Sequence, residues 1–192
     1  MVVHRRLFHR LRLAALVAAL TVPLAGYSDV RAALEYQVKA AFLYNFAKFV
    51  EWPAEALSPT TDVVVIGVFG EDPFGAILEQ TLEGKTCCHD RRLVARRFRR
   101  GKDATSAQIL FIGASEDGRL ADILANLDGA SVLTVSDIDH FTDRGGMIGF
   151  RREANKVRFE INADAAAHAG LTISSQLLKL ATRVINRSDG GS

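Results

Sequence analysis

The chain has 192 residues, 48% hydrophobic and 24% charged, with 24 Lys and Arg against 22 Asp and Glu. This composition suits one globular core, and no repeat or low-complexity tract marks a second. Residues 1–32 hold five Arg and one Asp, so the formal charge of +2 becomes +2 − 4 = −2 without them, which removes the electrostatic argument for a nucleic-acid partner.

The first segment reads as an export signal. A basic stretch (His4, Arg5, Arg6, His9, Arg10, Arg12) precedes an uncharged apolar run from Leu13 to Leu24, too short for a lasting membrane span. Processing is expected before Ala33, with a rival site near Ala25 or Gly26. No cysteine lies nearby to accept a lipid. The expected organisation is a signal peptide over 1–32, a single domain over 33–187 and a flexible tail over 188–192.

Val38, Phe42, Phe46 and Phe49 fall on one helical stripe, which Trp52-Pro53 ends. Val63 to Phe69 is a near-continuous β-branched run, the pattern of a strand covered on both faces. Asp72 and Pro73 are expected as N-cap and first residue of a helix through Leu82. Arg92 to Arg100 is expected as an edge strand, positive side chains being a common guard on sheet edges. Ile109 to Ile112 reads as a buried strand and Ser115 as a helix cap. Leu120, Ile123, Leu124 and Leu127 form the apolar face of the next helix, and Val132 to Val135 another strand.

From Gly145 the period changes to two. Ile148 and Phe150, then Val157, Phe159 and Ile161, alternate with polar or small neighbours, and Glu153 to Lys156 makes the turn of a hairpin. Asn162 caps a short Ala-rich helix that carries Asp164 in its first turn and ends before Gly170. Ile173, Leu177, Leu180 and Val184 then recur at helical spacing, with Ser174 and Ser175 at the start. The predicted fold is an α/β three-layer sandwich, with a largely parallel sheet, helices on both faces and a C-terminal antiparallel hairpin.

The wordings EYQVKAAFLYNFAKFVEWP (35–53), VFGEDPFG (68–75), GGMIGF (145–150), VRFEIN (157–162) and AGLTISSQLLKLA (169–181) resemble, in this order, the YfiR family of periplasmic regulators. The resemblance covers about Glu35 to Asn186. It implies a periplasmic repressor that binds the sensing domain of a YfiN-type inner-membrane diguanylate cyclase and lowers cyclic-di-GMP, with no enzymatic activity and no cofactor. A second copy of the chain is the other partner considered. Family members often carry a cysteine just before the strand at 109–112, a place held here by Gln108. The alternative is a periplasmic small-molecule binding or sensing protein.

Phe141 and Phe150 are the candidate partner anchors, with core burial as the competing reading. Asp72, Ser115 and Asp137 are the candidate ligand residues, because ligands of α/β sheets gather beyond the carboxyl ends of strands. Six arginines at 91, 92, 96, 97, 99 and 100 form the densest charge cluster. Arg92, Arg96 and Arg97 are candidate anion ligands, against a solvated edge neutralised by Glu83, Asp90 and Asp103. Cys87 and Cys88 can close only a strained vicinal ring, so free thiols or an intersubunit disulfide are expected. Nearby His89, Arg91 and Arg92 are expected to lower a thiol pKa. His89, His140 and His168 lack metal-ligand spacing, and no metal site is assigned, either at Cys87-Cys88-His89 or at the acidic loop Asp137, Asp139, His140, Asp143. The Gly67–Gly75 turn lacks the endings of a phosphate-binding loop.

Overall fold

The computed structural model describes residues 25–57, 62–100 and 103–186. The basic and apolar signal segment up to Leu24 and the 188–192 tail lie outside them. The chain divides into two compact units, residues 1–34 and 35–192.

Helix α1 spans Ala25–Phe49. Strands β1 (Val50–Glu51), β2 (Val63–Phe69), β3 (Thr86–Cys87) and β4 (Arg91–Phe98) follow, with helix α2 (Ile77–Leu82) between β2 and β3. The rest is β5 (Ile109–Ile112), α3 (Leu120–Asn126), β6 (Leu133–Ser136), β7 (Ile148–Glu153), β8 (Lys156–Asn162), α4 (Ala163–His168), β9 (Thr172–Ile173), α5 (Ser175–Leu178) and β10 (Arg183–Ile185).

Eight strands form one sheet in the order β10-β8-β7-β6-β5-β2-β4-β3. It is mixed rather than largely parallel: β8 runs antiparallel to β7 and β3 antiparallel to β4, while the other neighbours run parallel. The hairpin does not end the sheet, because β10 returns to lie parallel beside β8. Its two-residue turn places Ala154 and Asn155 at φ of 45° and 63°, the double left-handed geometry that matches strand twist.

Alternation along the strands feeds two cores. Val64, Ile66 and Val68 of β2, with Ile109 and Phe111 of β5, pack with Leu43 and Phe46 of α1 and Leu78 of α2. Val65 and Phe69, with Leu110 and Ile112, pack with Leu120 and Ile123 of α3 and with Phe141. The rings of Phe42, Phe46, Phe150 and Phe159 lie 5.3–6.0 Å apart and join α1 to the hairpin. Gly146 is obligatory at the Phe141 corner, where a Cβ would fall inside the ring.

Several expected boundaries move. Val38 is exposed, and the buried face of α1 runs through Lys39, Ala40, Leu43, Phe46 and Ala47. Asp72 does not cap a helix: its Oδ1 accepts from the Phe74 amide at 2.8 Å, and α2 starts only at Ile77. The expected last helix shrinks to α5, capped by Ser174, while Ile173 joins β9 and Val184 joins β10. Strand β9 pairs with β1, so two of the family-like wordings, one ending α1 and one starting α5, meet. Asn162 caps α4 as expected, accepting from the Ala165 amide at 3.0 Å.

Candidate functional site

The parallel strands β2, β5 and β6 end together, and the three candidate ligand residues follow them. At β6, the Ser136 hydroxyl donates to the Ile112 carbonyl at 2.7 Å and accepts from the Ile138 amide at 3.0 Å. This turn aims Asp137 at α1. Its Oδ2 lies 2.6 Å from Lys39 Nζ and accepts from the Tyr36 hydroxyl at 2.9 Å, while its buried Oδ1 has no partner among the described residues. Lys39 also lies 2.7 Å from Glu35 Oε1 and 4.3 Å from the Tyr36 ring centre. Burial, then the Asp137 charge, pushes the Tyr36 hydroxyl well above the ordinary range.

The other two candidates have separate partners. Ser115 does not cap its own helix: its hydroxyl accepts from the Glu71 amide at 2.9 Å. Gly70 faces it with φ of 90°, and a Cβ there would come within 2.7 Å of that oxygen. Asp72 accepts from Arg97 Nε at 2.8 Å. Asp72, Ser115 and Asp137 thus each serve a local contact. The Phe74 ring, packed edge-on against Tyr36 at 5.3 Å, links the first to the third.

Arg97 is closed off as a free anion ligand. It pairs with Asp72 and Glu79 and donates to the Gly75 carbonyl at 2.7 Å. Glu83, Asp90 and Asp103 are not the groups that neutralise it. Burial pulls the Arg97 pKa down, but the bonds to Glu79 and Asp72 outweigh it and raise the pKa. Arg96, one residue earlier, projects to the opposite face, as strand alternation requires. Arg92 and Arg96 are exposed, and their side chains have no partner among the described residues. β4 is the second strand from the end of the sheet, flanked by β3 only at Arg91 and Arg92.

Phe141 and Phe150 are 1% and 4% exposed, so neither is offered to a partner. The exposed large apolar residues near the hairpin are Leu180 and Val184, the latter in the end strand β10. The thiols of Cys87 and Cys88 are free, with sulfurs 3.4 Å apart. Burial, then the hydrogen bond with Cys88, pushes the Cys87 thiol up to about 12, opposite to the expected lowering; Arg91 pulls downward more weakly. Gln108 works as a structural clamp: its Oε1 accepts from the Val65 amide at 2.8 Å, and its Nε2 donates to the Ala56 carbonyl.

Sequence reasoning missed a cleft of about 500 Å³ lined by Thr142, Asp143, Asn162, Asp164, His168 and Arg183, among others. Arg183 pairs with Asp143 at its rim and holds that carboxyl below the usual range, with a smaller contribution from His140. The cleft exists because β10 returns beside β8, a long-range pairing with no local signal. Among the described residues no three His, Cys, Asp or Glu are grouped to hold a metal, and no helix is long and apolar enough to cross a membrane.

The model of the YfiR/HmsC-like family matches residues 36–182. No curated protein matches the chain. Among solved structures, a conserved domain protein from Vibrio cholerae O1 biovar El Tor str. N16961 is similar at 12% identity and a TM-score of 0.46, over 68% of this chain and 57% of that one.

Proposed function

The chain belongs to the YfiR/HmsC-like family, and from that membership we propose that it is a periplasmic repressor of an inner-membrane diguanylate cyclase, acting on the cyclase's periplasmic sensing domain. Members of this family are regulators of cyclic-di-GMP signalling rather than enzymes. The observation that carries the reading is the match over residues 36–182, which takes in nearly all of the larger unit. In this reading residues 1–32 are removed on export and 33–187 form the working domain. The two cores on alternate faces of the sheet are read as a three-layer sandwich, α1 and α2 on one side and α3 on the other.

Repression needs no chemistry. The protein has only to bind the inactive conformation of the cyclase more tightly than the active one, and the shift cannot exceed that difference in affinity. Apolar anchors dominate such interfaces, and Leu180 and Val184, 63% and 40% exposed, replace Phe141 and Phe150 as the anchors. Deleting the protein in its host raises cyclic-di-GMP, and the rise requires the membrane cyclase. Unchanged cyclic-di-GMP, with both proteins expressed in the parent strain, overturns the proposal. N-terminal sequencing of envelope material gives a start near Ala33, and an intact Met1 on cytoplasmic protein contradicts export.

A second reading, a small-molecule sensor, is favoured by the cleft at Arg183 and His168, whose volume lies in the range of ligand sites. Native mass spectrometry of protein purified from its host tests it. A retained small molecule that Arg183→Ala loses supports it, and bare protein overturns it.

A further inference from the structure

Strand β4 is bonded along its whole length to β2 on one side, Val63 to Phe69 facing Arg92 to Phe98. On its other side, β3 pairs only with Arg91 and Arg92, and the Lys85 carbonyl takes the Leu93 amide at 3.1 Å. The Arg92 amide donates inward to Asp62 at 2.8 Å. Backbone groups alternate sides along a strand, so those of Val94, Arg96 and Phe98 face β2 while those of Ala95 and Arg97 face outward. Among the described residues no strand pairs with that outer stretch.

The charge beside this edge is concentrated. Residues 91–100 contain six Arg and no acidic residue. Residues 35–192 hold 24 − 5 = 19 Lys and Arg and 22 − 1 = 21 Asp and Glu, so without these six Arg the unit sums to 13 − 21 = −8. Arg97 is tied down on the α2 face by Asp72 and Glu79. Arg92, Arg96, Arg99 and Arg100 are exposed, and their guanidinium groups have no partner among the described residues.

We propose that the open edge of β4 is a docking site for an extended acidic segment of a partner protein, which adds as a strand and bonds the outward backbone groups of Ala95 and Arg97 while its carboxylates meet Arg92 and Arg96. Main-chain bonds at such an edge supply affinity, and the flanking side chains supply choice. A second copy of this chain is the wrong occupant, because antiparallel β4 strands bring Arg against Arg, and like charges opposite each other destabilise a pair. The same arginines that guard the edge against neutral and basic strands therefore select an acidic one. The inference names the chemistry of a partner contact in the binding role proposed above. Its test is made on the purified protein, so it stands or falls separately from the cyclase assignment.

The probe is a capped eight-residue peptide alternating Glu and Thr, with a Lys and Thr peptide as control, added to the ¹⁵N-labelled protein. We expect the Glu peptide to slow exchange of the Ala95 and Arg97 amides at least tenfold and the Lys peptide to leave them unchanged. Arg92→Glu with Arg96→Glu weakens binding at least tenfold. Ala95→Pro, which removes an outward donor and no β2 bond, abolishes the protection of the Arg97 amide. Equal protection by the Lys peptide overturns the proposal. So does binding of the Glu peptide without amide protection, binding of phosphatidylglycerol vesicles but not the peptide, or a dimer that Ala95→Pro dissociates.

Discussion

Replacing Lys39 by Met isolates the contact that fastens α1 to the end of β6. Methionine keeps an apolar stem of similar reach and removes the ammonium group. Asp137, its side chain 13% exposed, is then left with the Tyr36 hydroxyl and an Oδ1 that already has no partner among the described residues. Removing one member of a buried ion pair costs about 3–5 kcal/mol because the remaining charge stays buried. Glu35 is 26% exposed and rehydrates easily, which places the expected loss at the lower end, about 3 kcal/mol. In a domain of this size each kcal/mol moves the midpoint by about 2–4 °C, so thermal unfolding at pH 7 should fall by about 6–12 °C. Urea unfolding provides the direct free energy. Adding Asp137→Asn removes the stranded charge and should recover at least half of the loss. A single-variant loss below about 1 kcal/mol, or no recovery in the double variant, refutes the view that the pair is effectively buried.

Gly146→Ala forces a methyl group into the Phe141 ring and should destabilise by about 1–3 kcal/mol in urea unfolding. Gly118→Ala, which meets open space, should stay within about 0.5 kcal/mol of the parent. The raised Cys87 and Tyr36 pKa values give an alkaline trend of definite sign. Folding keeps these protons on while the unfolded chain releases them, so the stabilisation is full below about pH 9 and is lost as pH rises toward 12. Cys87→Ala should flatten that slope in unfolding measured from pH 8 to 10.5. Alkylation at pH 8 should reach Cys88 before Cys87, and equal rates contradict the burial of the Cys87 thiol. Leu180→Asp and Arg96→Glu should each relieve repression in cells, and their effects should add in free energy, because the sites share no partner residue.

The local features were legible because local forces set them. The β-branched run at Val63–Phe69 and the apolar run at Ile109–Ile112 read as buried strands, and both are. The Asn162 cap and the Ala154-Asn155 turn follow from side-chain and backbone geometry within a few residues. The α1 face was misphased at Val38 because Ala40, Ala47 and Lys39 line the buried side, and a lysine paired with two carboxylates does not look apolar in sequence. The last helix was overextended because Leu180 and Val184 keep helical spacing after the chain has left the helix to reach β8. Arg96 and Arg97 look alike in sequence. One residue of strand alternation sends Arg97 to Asp72 and Glu79 and leaves Arg96 open. Site legibility failed for the same reason: partners supplied from distant segments decide which charged groups remain available.

If the chain is the repressor proposed above, the positions of the two candidate contacts in the sheet limit how it can work. β10, with Val184, and β4, with Arg92 and Arg96, are separated by six strand spacings in the sheet order, about 30 Å at roughly 4.8 Å each. A stable specific interface buries about 1,200–2,000 Å² in total, which neither a three-residue strand nor a five-residue open edge supplies alone. Moving a cyclase from mostly active to almost wholly inactive requires about a 10⁴-fold preference for the inactive state. A single partner meeting that demand must span the sheet and engage both ends, one through apolar anchors and the other through backbone and charge. A partner domain too small to span it leaves one end free for a second protein, and the acidic edge contact then becomes a place where that protein could alter repression without displacing the first.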